Sequence, residues 1–213
     1  GLQPQIVEFP ADENMNDDLR NMVWRGHYLG TKPADVMLHV PVDVHFAASN
    51  RQVKIFGPYH LETLALARIS ERVPAPSSSA AESFAVFEEE RIGVELDTHA
   101  SDFLLNLREG ALRQNVVHYR SLAEAAAALK AGEIAAVMGT RGELEASLGG
   151  HGGVAIDTLA MPELRLTGWP LGMAVKADSS QLAEALSGAL ADLQRSGELT
   201  RIFEANGVRH RVP

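Results

Sequence analysis

The most concentrated group of candidate metal ligands is the acidic run from Asp12 to Asp18. Carboxylate and amide oxygens are the ligands that calcium prefers in proteins. The spacing does not fit the calcium-binding EF-hand loop, because Asp17 stands where that loop needs glycine and Val23 where it needs a bidentate glutamate. Acidic residues also stabilise the first turn of a helix by complementing its dipole. We therefore expect a helix start here, and keep a calcium- or lanthanide-binding protein as the least favoured alternative.

Histidines and catalytic motifs give no stronger signal. His27, His39 and His45 could converge on a metal ion, but their spacing does not place two of them on one face of a helix. No GxSxG, HExxH or GxGxxG pattern occurs in its proper setting. The glycine-rich loop at 149–153 lacks the lysine of a phosphate-binding loop. We therefore predict a protein that is not an enzyme and uses neither a cofactor nor a metal.

Composition points to a soluble globular protein. Of the 213 residues, 46% are hydrophobic and 22% charged, which suits one large domain or two smaller lobes. The net charge is −9 and the 19 basic residues are scattered, so nucleic acid is not an expected partner. No apolar run approaches the roughly 20 residues of a membrane-spanning helix. The absence of cysteine excludes disulfides, thiolate metal sites and a cysteine nucleophile.

The order of the predicted elements indicates an α/β fold. The best-defined helix is 122–131, where Ser121 and Glu124 form a capping box and Gly132 follows the last turn. Strands that alternate with helices of this length are typical of parallel sheets covered on both faces. We expect one further helix that follows the acidic run 12–18 and ends near Gly26. We expect others at 101–108, around 144, at 181–195 and at 199–205. We expect strands at 5–9, 34–40, 61–68, 92–96, 116–119, 135–138, 154–156 and 172–176.

One stretch has the composition of a linker. Residues 73–81 are rich in proline, serine and alanine and carry no large apolar side chain after Val73. We place a surface excursion between two lobes at 69–90.

Several stretches, taken in order, resemble the type II periplasmic solute-binding proteins, and the amino-acid-binding family (family 3) in particular. Residues 92–98 and 129–139 are similar to a strand with its threonine turn and to a later helix and strand of the second lobe. Residues 172–176 through 203 look like the return strand and the paired terminal helices. Residues 52–59 resemble the segment that precedes the hinge.

The resemblance implies a two-lobed fold, with a mostly parallel sheet flanked by helices in each lobe and a ligand in the cleft. It places the first lobe at 1–68 plus 168–213 and the second at 91–167. Family members begin with a strand and a helix that precede the unit starting at Gln5. The resemblance therefore implies a first lobe without its usual N-terminal βα unit, whose open side a partner or a homodimer would cover.

The resemblance also allows a test of the ligand. An amino acid needs a buried cation for its carboxylate and a buried anion for its ammonium group. The family uses an arginine in the first lobe and an aspartate after the third strand of the second lobe. At those places this sequence has residues 43–47, which include no arginine, and Gly139-Thr140-Arg141, which include no aspartate. We therefore expect a small ligand that is not an amino acid. The candidate cleft residues are Thr98, His45, Trp169, Thr140 and Arg141, although for Thr98 we favour the role of a simple helix N-cap.

The stretch 24–30 joins aromatic, cationic and glycine residues in one turn. With Asp35-Val36-Met37 it resembles the XoxJ-type branch of the superfamily, which is associated with PQQ-dependent methanol and alcohol dehydrogenases. That resemblance implies a periplasmic accessory protein that aids activation or maturation of a quinoprotein dehydrogenase. Its candidate docking residues are Trp24, Arg25, His27 and Tyr28, unless the stretch is only a structural turn. The alternative is the solute-binding receptor of an ABC importer, with an ABC permease as partner.

Overall fold

The computed structural model describes residues 3–9, 14–28, 30 and 32–213. The chain divides into two compact units. The first contains Gly1–Leu61, Pro170–Leu199 and Val212–Pro213, and the second contains Glu62–Trp169 and Thr200–Arg211. Among the described residues, no helix has the length and apolar character needed to cross a membrane.

The first unit is built on three strands. Strand β7 lies between β1 and the first part of β2, and β1 runs antiparallel to β7 with Met37 opposite Ala174. A small core forms around them from Leu19, Met22, Val23, Val40, Val53 and Ala174. The elements are α1 (Met15–Leu19), a π-helical turn (Arg20–Trp24), β1 (Met37–Pro41), α2 (Val44–Ser49), β2 (Val53–Ile69, shared with the second unit), β7 (Gly168–Lys176) and α7 (Ser180–Arg195). Helix α8 (Glu198–Ala205) begins in this unit, and its residues from Thr200 onward belong to the second unit.

Our prediction of a strand at 5–9 is wrong. Residues 3–9 form no strand, and Ile6 is 88% exposed. Apolar alternation stabilises a strand only where another strand supplies hydrogen bonds and a covered face. The end of that prediction at Pro10 and the first helix-capping candidate, Asp12, lie outside the described residues.

The second unit contains the larger sheet, with strand order β6-β2-β5-β3-β4. Strand β3 is parallel to β4 and β5, whereas β2 is antiparallel to both β5 and β6. The sheet is therefore mixed, and our expectation of mostly parallel pairing needs that correction. Its remaining elements are α3 (Ala80–Ser83), β3 (Ile92–Glu95), α4 (His99–Asn106), β4 (Val116–Tyr119), α5 (Leu122–Lys130), β5 (Ala136–Thr140), α6 (Arg141–Leu148) and β6 (Val154–Thr158).

Local sequence explains why the helices of this unit begin where they do. The Ser121 hydroxyl accepts a hydrogen bond from the Glu124 N–H at 3.2 Å and caps α5, as the capping-box pattern predicted. The Glu124 carboxylate in turn accepts from the Arg120 N–H at 3.1 Å. Five residues of α5 are buried against the sheet, and Gly132 follows the helix with a positive φ of 73°, a conformation that favours glycine.

Residues 69–90, where we expected a linker, carry buried side chains. Phe84 and Phe87 have no exposed surface. The Phe84 ring lies 5.8 Å from Phe87 and 5.5 Å from Phe103, centroid to centroid. Both rings belong to the main hydrophobic cluster of the second unit. This segment therefore contributes to a core, although its first residues have the composition of a linker.

Candidate functional site

The carboxyl ends of β3 and β5 lie side by side, because the two strands are parallel neighbours with Val94 opposite Met138. In open α/β sheets, ligands bind beyond the carboxyl ends of the strands. The structure places Thr98 just after β3, and Thr140 and Arg141 at the junction of β5 and α6. Three of the five predicted cleft residues thus follow one edge of the second unit's sheet, which we call the ligand edge.

Thr98 has a structural role. Its hydroxyl accepts from the Ser101 N–H at 3.2 Å and donates to the Glu95 carbonyl at 2.8 Å, which makes it the N-cap of α4. The simple N-cap role that we favoured from the sequence is therefore the observed one. A ligand at this hydroxyl would have to compete with the helix for the same oxygen.

Arg141 is also held by neighbouring groups. Its Nε donates to Glu145 at 2.7 Å, one turn along α6, and its Nη1 donates to the Thr158 hydroxyl. The side chains of Arg141 and Glu145 are only 18% and 12% exposed. The guanidinium thus connects α6 to Thr158 of β6, and its two hydrogen bonds fix its position.

Thr140 offers a hydroxyl without such a role. Although Thr140 precedes α6, its side chain makes no capping hydrogen bond. Its Oγ1 atom and the Oγ1 atom of Thr63 are buried and have no hydrogen-bond partner among the described residues. Leu64 of β2 pairs with Thr140 of β5, so Thr140 lies on the same face of the sheet as Leu64, and the side chain of Thr63 points to the other face. Buried hydroxyls normally have partners, so the Thr140 oxygen favours a polar ligand at the ligand edge.

Glu62 is the functional candidate that our sequence reasoning did not single out. It lies in β2 and is 4% exposed. One carboxylate oxygen accepts from the Gly142 N–H at 3.1 Å and from its neighbour Thr63 N–H at 2.9 Å. A carboxylate from β2 thus lies at the N-terminus of α6, beside the place where the resemblance implied an aspartate. The signal was a single acidic residue inside an apolar strand sequence.

The environment of Glu62 disfavours its charge. Burial raises the pKa of Glu62, and Glu143 raises it further, while hydrogen bonds from the Thr63 and Gly142 N–H groups and the charge of Arg211 lower it. Burial and the nearby charge of Glu143 also raise the pKa of Glu95, at the end of β3. A cationic group near the ligand edge would therefore be stabilised by more than one carboxylate.

Gly142 fits this arrangement closely. A Cβ atom at this position would lie 2.7 Å from Glu62 Oε2, which is closer than real contacts allow. The glycine lets the carboxylate approach the helix start, where free N–H groups favour an anion.

The two remaining predicted cleft residues lie elsewhere. Trp169 is half-buried and packs against the main hydrophobic cluster of the second unit. His45 is exposed on α2 in the first unit, where its N–H donates to the capping carboxylate of Asp43.

The predicted docking residues are spread between core and surface of the first unit. Trp24 is half-buried and packs against the small core, whereas Arg25 is exposed. Tyr28 is 87% exposed, and its ring lies 4.3 Å from the ring of His27. Arg25 and Tyr28 therefore present cationic and aromatic surface, while Trp24 has a structural role.

No metal site is evident in the part of the chain that the structure describes, where no three histidine or acidic side chains are grouped as ligands. Asp17 pairs with Arg20 and accepts from the Asn14 amide. Asp18 is 4% exposed within α1. Asp12 and Glu13 lie outside the described residues.

Comparison of the sequence gives no match to a family model or to a curated protein. Comparison of the structure gives many, among them an ancestral cationic amino-acid solute-binding protein. It is 15% identical with a TM-score of 0.61, and the match covers 81% of this chain and 69% of that one. The fold is that of type II periplasmic solute-binding proteins.

Two further structures show how widely this fold is used. The ligand-binding core of GluR0 in complex with L-glutamate is 16% identical with a TM-score of 0.60, and the match covers 94% of this chain and 81% of that one. An amino-acid ABC transporter substrate-binding protein from Streptococcus pneumoniae, bound to L-arginine, is 17% identical with a TM-score of 0.54, and the match covers 79% and 65% of the two chains. These neighbours are binding proteins and receptors.

Proposed function

We propose that this protein is a non-catalytic, periplasmic solute-binding receptor that delivers a small ligand to an ABC permease. The fold supports a binding role, since its structural neighbours include transporter substrate-binding proteins. The observation that carries the proposal is the buried hydroxyl of Thr140 at the ligand edge, which has no hydrogen-bond partner among the residues that the structure describes. Buried polar atoms without partners cost free energy, and a bound solute would supply the missing hydrogen bonds.

The ligand that we propose is not an ordinary amino acid. The ligand edge offers a carboxylate, Glu62, but the guanidinium groups of Arg141 and Arg211 beside α6 are both bound to Glu145. A ligand carboxylate would therefore find no available cation among these residues. A small solute with hydrogen-bond donors and without a carboxylate fits the edge better.

Thermal unfolding in the presence of a metabolite library tests this proposal. A ligand at about 100 times its dissociation constant should stabilise the protein by about 2.7 kcal/mol, which corresponds to roughly 5–10 °C in melting temperature for a chain of this size. Thr140→Val should weaken the shift, whereas the matched control Thr167→Val, at an exposed residue of the same unit, should leave it unchanged. Absence of a selective shift with any solute would reject the receptor function.

A second candidate function is the quinoprotein dehydrogenase accessory role that the sequence resemblance implies. The observation that favours it is the exposed pair of Arg25 and Tyr28 in the first unit. Tyrosine and arginine are enriched at the centres of protein interfaces.

An activity assay with a PQQ-dependent methanol dehydrogenase tests the accessory role. The protein should raise the activity of the dehydrogenase, and Tyr28→Ala should reduce that effect by about tenfold or more, as for an interface hot spot. Leu166→Ala, which changes an apolar side chain that is 41% exposed in the second unit, serves as the control. Equal activity with and without the protein would contradict this role.

A further inference from the structure

The buried carboxylate of Glu62 has one oxygen that the fold does not use. Its Oε1 atom accepts hydrogen bonds from the N–H groups of Gly142 and Thr63, at 3.1 and 2.9 Å. No residue that the structure describes donates to the other oxygen, Oε2, or forms an ion pair with this carboxylate. Glu62 is only 4% exposed, and a buried carboxylate without a cationic partner is costly. Oε2 is therefore available to a positively charged group of a ligand.

Thr140 lies on the same face of the sheet as Glu62. Leu64 of β2 pairs with Thr140 of β5, and Glu62 comes two residues before Leu64, so the three side chains point to one face. Residues in the diagonal relation of Glu62 and Thr140 have Cα atoms about 7–8 Å apart, a spacing that one ammonium group can bridge. The buried Thr140 hydroxyl, which lacks a partner among the described residues, can accept a hydrogen bond. One ammonium group can therefore donate to both side chains.

An aromatic side chain borders this face. Trp169 is half-buried and packs against the hydrophobic cluster that contains Leu64. The segment that carries it runs beside β2, because the Leu64 N–H donates to the Thr167 carbonyl at 3.0 Å. At Gly168, a Cβ atom would lie 2.7 Å from the Glu62 carbonyl oxygen. An indole ring near a carboxylate suits a ligand that joins a cation to an apolar group, since tryptophan attracts cations to its face.

An exposed leucine borders the same face on the neighbouring strand. Strand β3 is parallel to β5 with Val94 opposite Met138, and this register places Leu96 beside Thr140, two residues further along each strand. Leu96 is 52% exposed. Its side chain can therefore bury apolar surface of a ligand whose polar group is bound at Thr140.

We propose that the ligand edge binds an amine that has an apolar body and no carboxylate. The ammonium group donates to Glu62 Oε2 and Thr140 Oγ1, and the apolar body lies against Trp169 and Leu96. This inference rests on the proposed receptor function and names its ligand class. A neutral alcohol could bind the Thr140 hydroxyl but would leave the buried carboxylate without a cation. A carboxylate on the ligand would be repelled by the charge of Glu62.

Calorimetric titration of the wild-type protein with three related probes tests the ligand class. The probes are 2-phenylethylammonium, its neutral analogue 2-phenylethanol, and phenylalanine, which adds a carboxylate to the amine. The amine should bind about tenfold or more tighter than either of the others, because hydrogen bonds between charged groups contribute more than neutral ones. Equal affinities for the amine and the alcohol, or for the amine and phenylalanine, would overturn the proposal. This comparison needs no variant to fold.

Glu62→Gln tests the carboxylate itself. Glutamine keeps one oxygen for the Gly142 and Thr63 N–H groups but removes the charge, so the affinity for the amine should fall about tenfold or more and its advantage over the alcohol should disappear. Glu133→Gln is the matched control. It makes the same charge change at an exposed residue that precedes β5, at the opposite edge of the sheet, and should leave the affinity at the wild-type value.

Leu96→Ser tests the apolar contact. It should weaken binding of 2-phenylethylammonium at least about threefold, through loss of buried apolar surface. Leu166→Ser, at another exposed leucine of the second unit, should have no such effect. Unchanged affinity for the amine in Glu62→Gln, or equal effects of the two leucine variants, would contradict the proposed site.

The receptor function can fail separately from this inference. Stabilisation of the protein by a neutral or anionic metabolite, without binding of the amine, would overturn the amine proposal and leave the receptor function intact. Absence of stabilisation by every solute, the amine included, would reject both.

Discussion

Replacement of Phe84 by alanine is expected to lower the free energy of unfolding by about 3–5 kcal/mol. Phe84 has no exposed surface and lies against Phe87 and Phe103 in the main cluster of the second unit. The truncation removes buried apolar surface and leaves a cavity that rigid neighbouring strands cannot fully close. Urea unfolding followed by circular dichroism measures the loss.

The matched control for Phe84→Ala is Ser78→Ala in the same segment. Ser78 is exposed, and surface changes of this kind usually alter stability by less than about 0.5 kcal/mol. A loss below about 1 kcal/mol for Phe84→Ala would show that residues 73–90 do not contribute to the core as the structure indicates.

Replacement of Glu145 by glutamine is expected to cost about 2–3 kcal/mol at pH 7. The Glu145 carboxylate accepts hydrogen bonds from Arg141, the Arg209 N–H and Arg211. The side chains of Glu145, Arg141 and Arg211 are at most 18% exposed. Glutamine keeps one accepting oxygen but leaves two mostly buried guanidinium groups without their anion. Chemical unfolding of the two proteins under the same conditions measures the difference.

The cost of Glu145→Gln should depend on pH. Burial alone would raise the pKa of Glu145, but hydrogen bonds from Arg141, the Arg209 N–H and Arg211 outweigh it and hold the pKa below its ordinary value. The carboxylate therefore stabilises the fold above the ordinary glutamate pKa, and this stability is lost as the pH falls through the lowered value. The difference between wild type and Glu145→Gln should shrink as the solution is acidified below about pH 4.

An exposed ion pair provides the control for this pH profile. Arg195 and Asp192 are paired at 2.7 Å, but their side chains are 75% and 73% exposed. Exposed pairs contribute about 0–1 kcal/mol, so Asp192→Asn should change stability little at any pH. A pH-independent cost of Glu145→Gln would contradict the structural role of its charge.

The two glutamates that border α6 have opposite electrostatic roles. Glu145 is stabilised as an anion by cations of the chain, whereas burial makes the charge of Glu62 costly. A structural ion pair needs no further partner. A buried carboxylate with a raised pKa at the ligand edge is typical of a binding site. For this reason we propose that the ligand binds near Glu62, whereas Glu145 has a structural role.

The chemistry of the site could be predicted only in part. Thr140 and Arg141 were identified because a resemblance placed them after a strand of a parallel sheet, and the structure confirms that location. Their roles were not predictable, since the partners of Arg141 are Glu145 and Thr158, the second of them on another strand. His45 was selected by the same resemblance but lies exposed on a short helix of the first unit.

The sequence by itself determined the elements whose causes are local. The helix that follows Ser121 needs only its cap, its alanines and Gly132. The strands predicted at 116–119 and 154–156 follow from their own apolar residues, although the second extends to Thr158. Only the tertiary structure decided that 5–9 forms no strand, that Phe84 is buried, and that Glu62 and Arg211 lie near one helix. These outcomes depend on contacts between residues that are far apart in the chain. A sequence pattern records which surface a segment can bury, whereas burial itself requires a partner surface that the rest of the chain supplies.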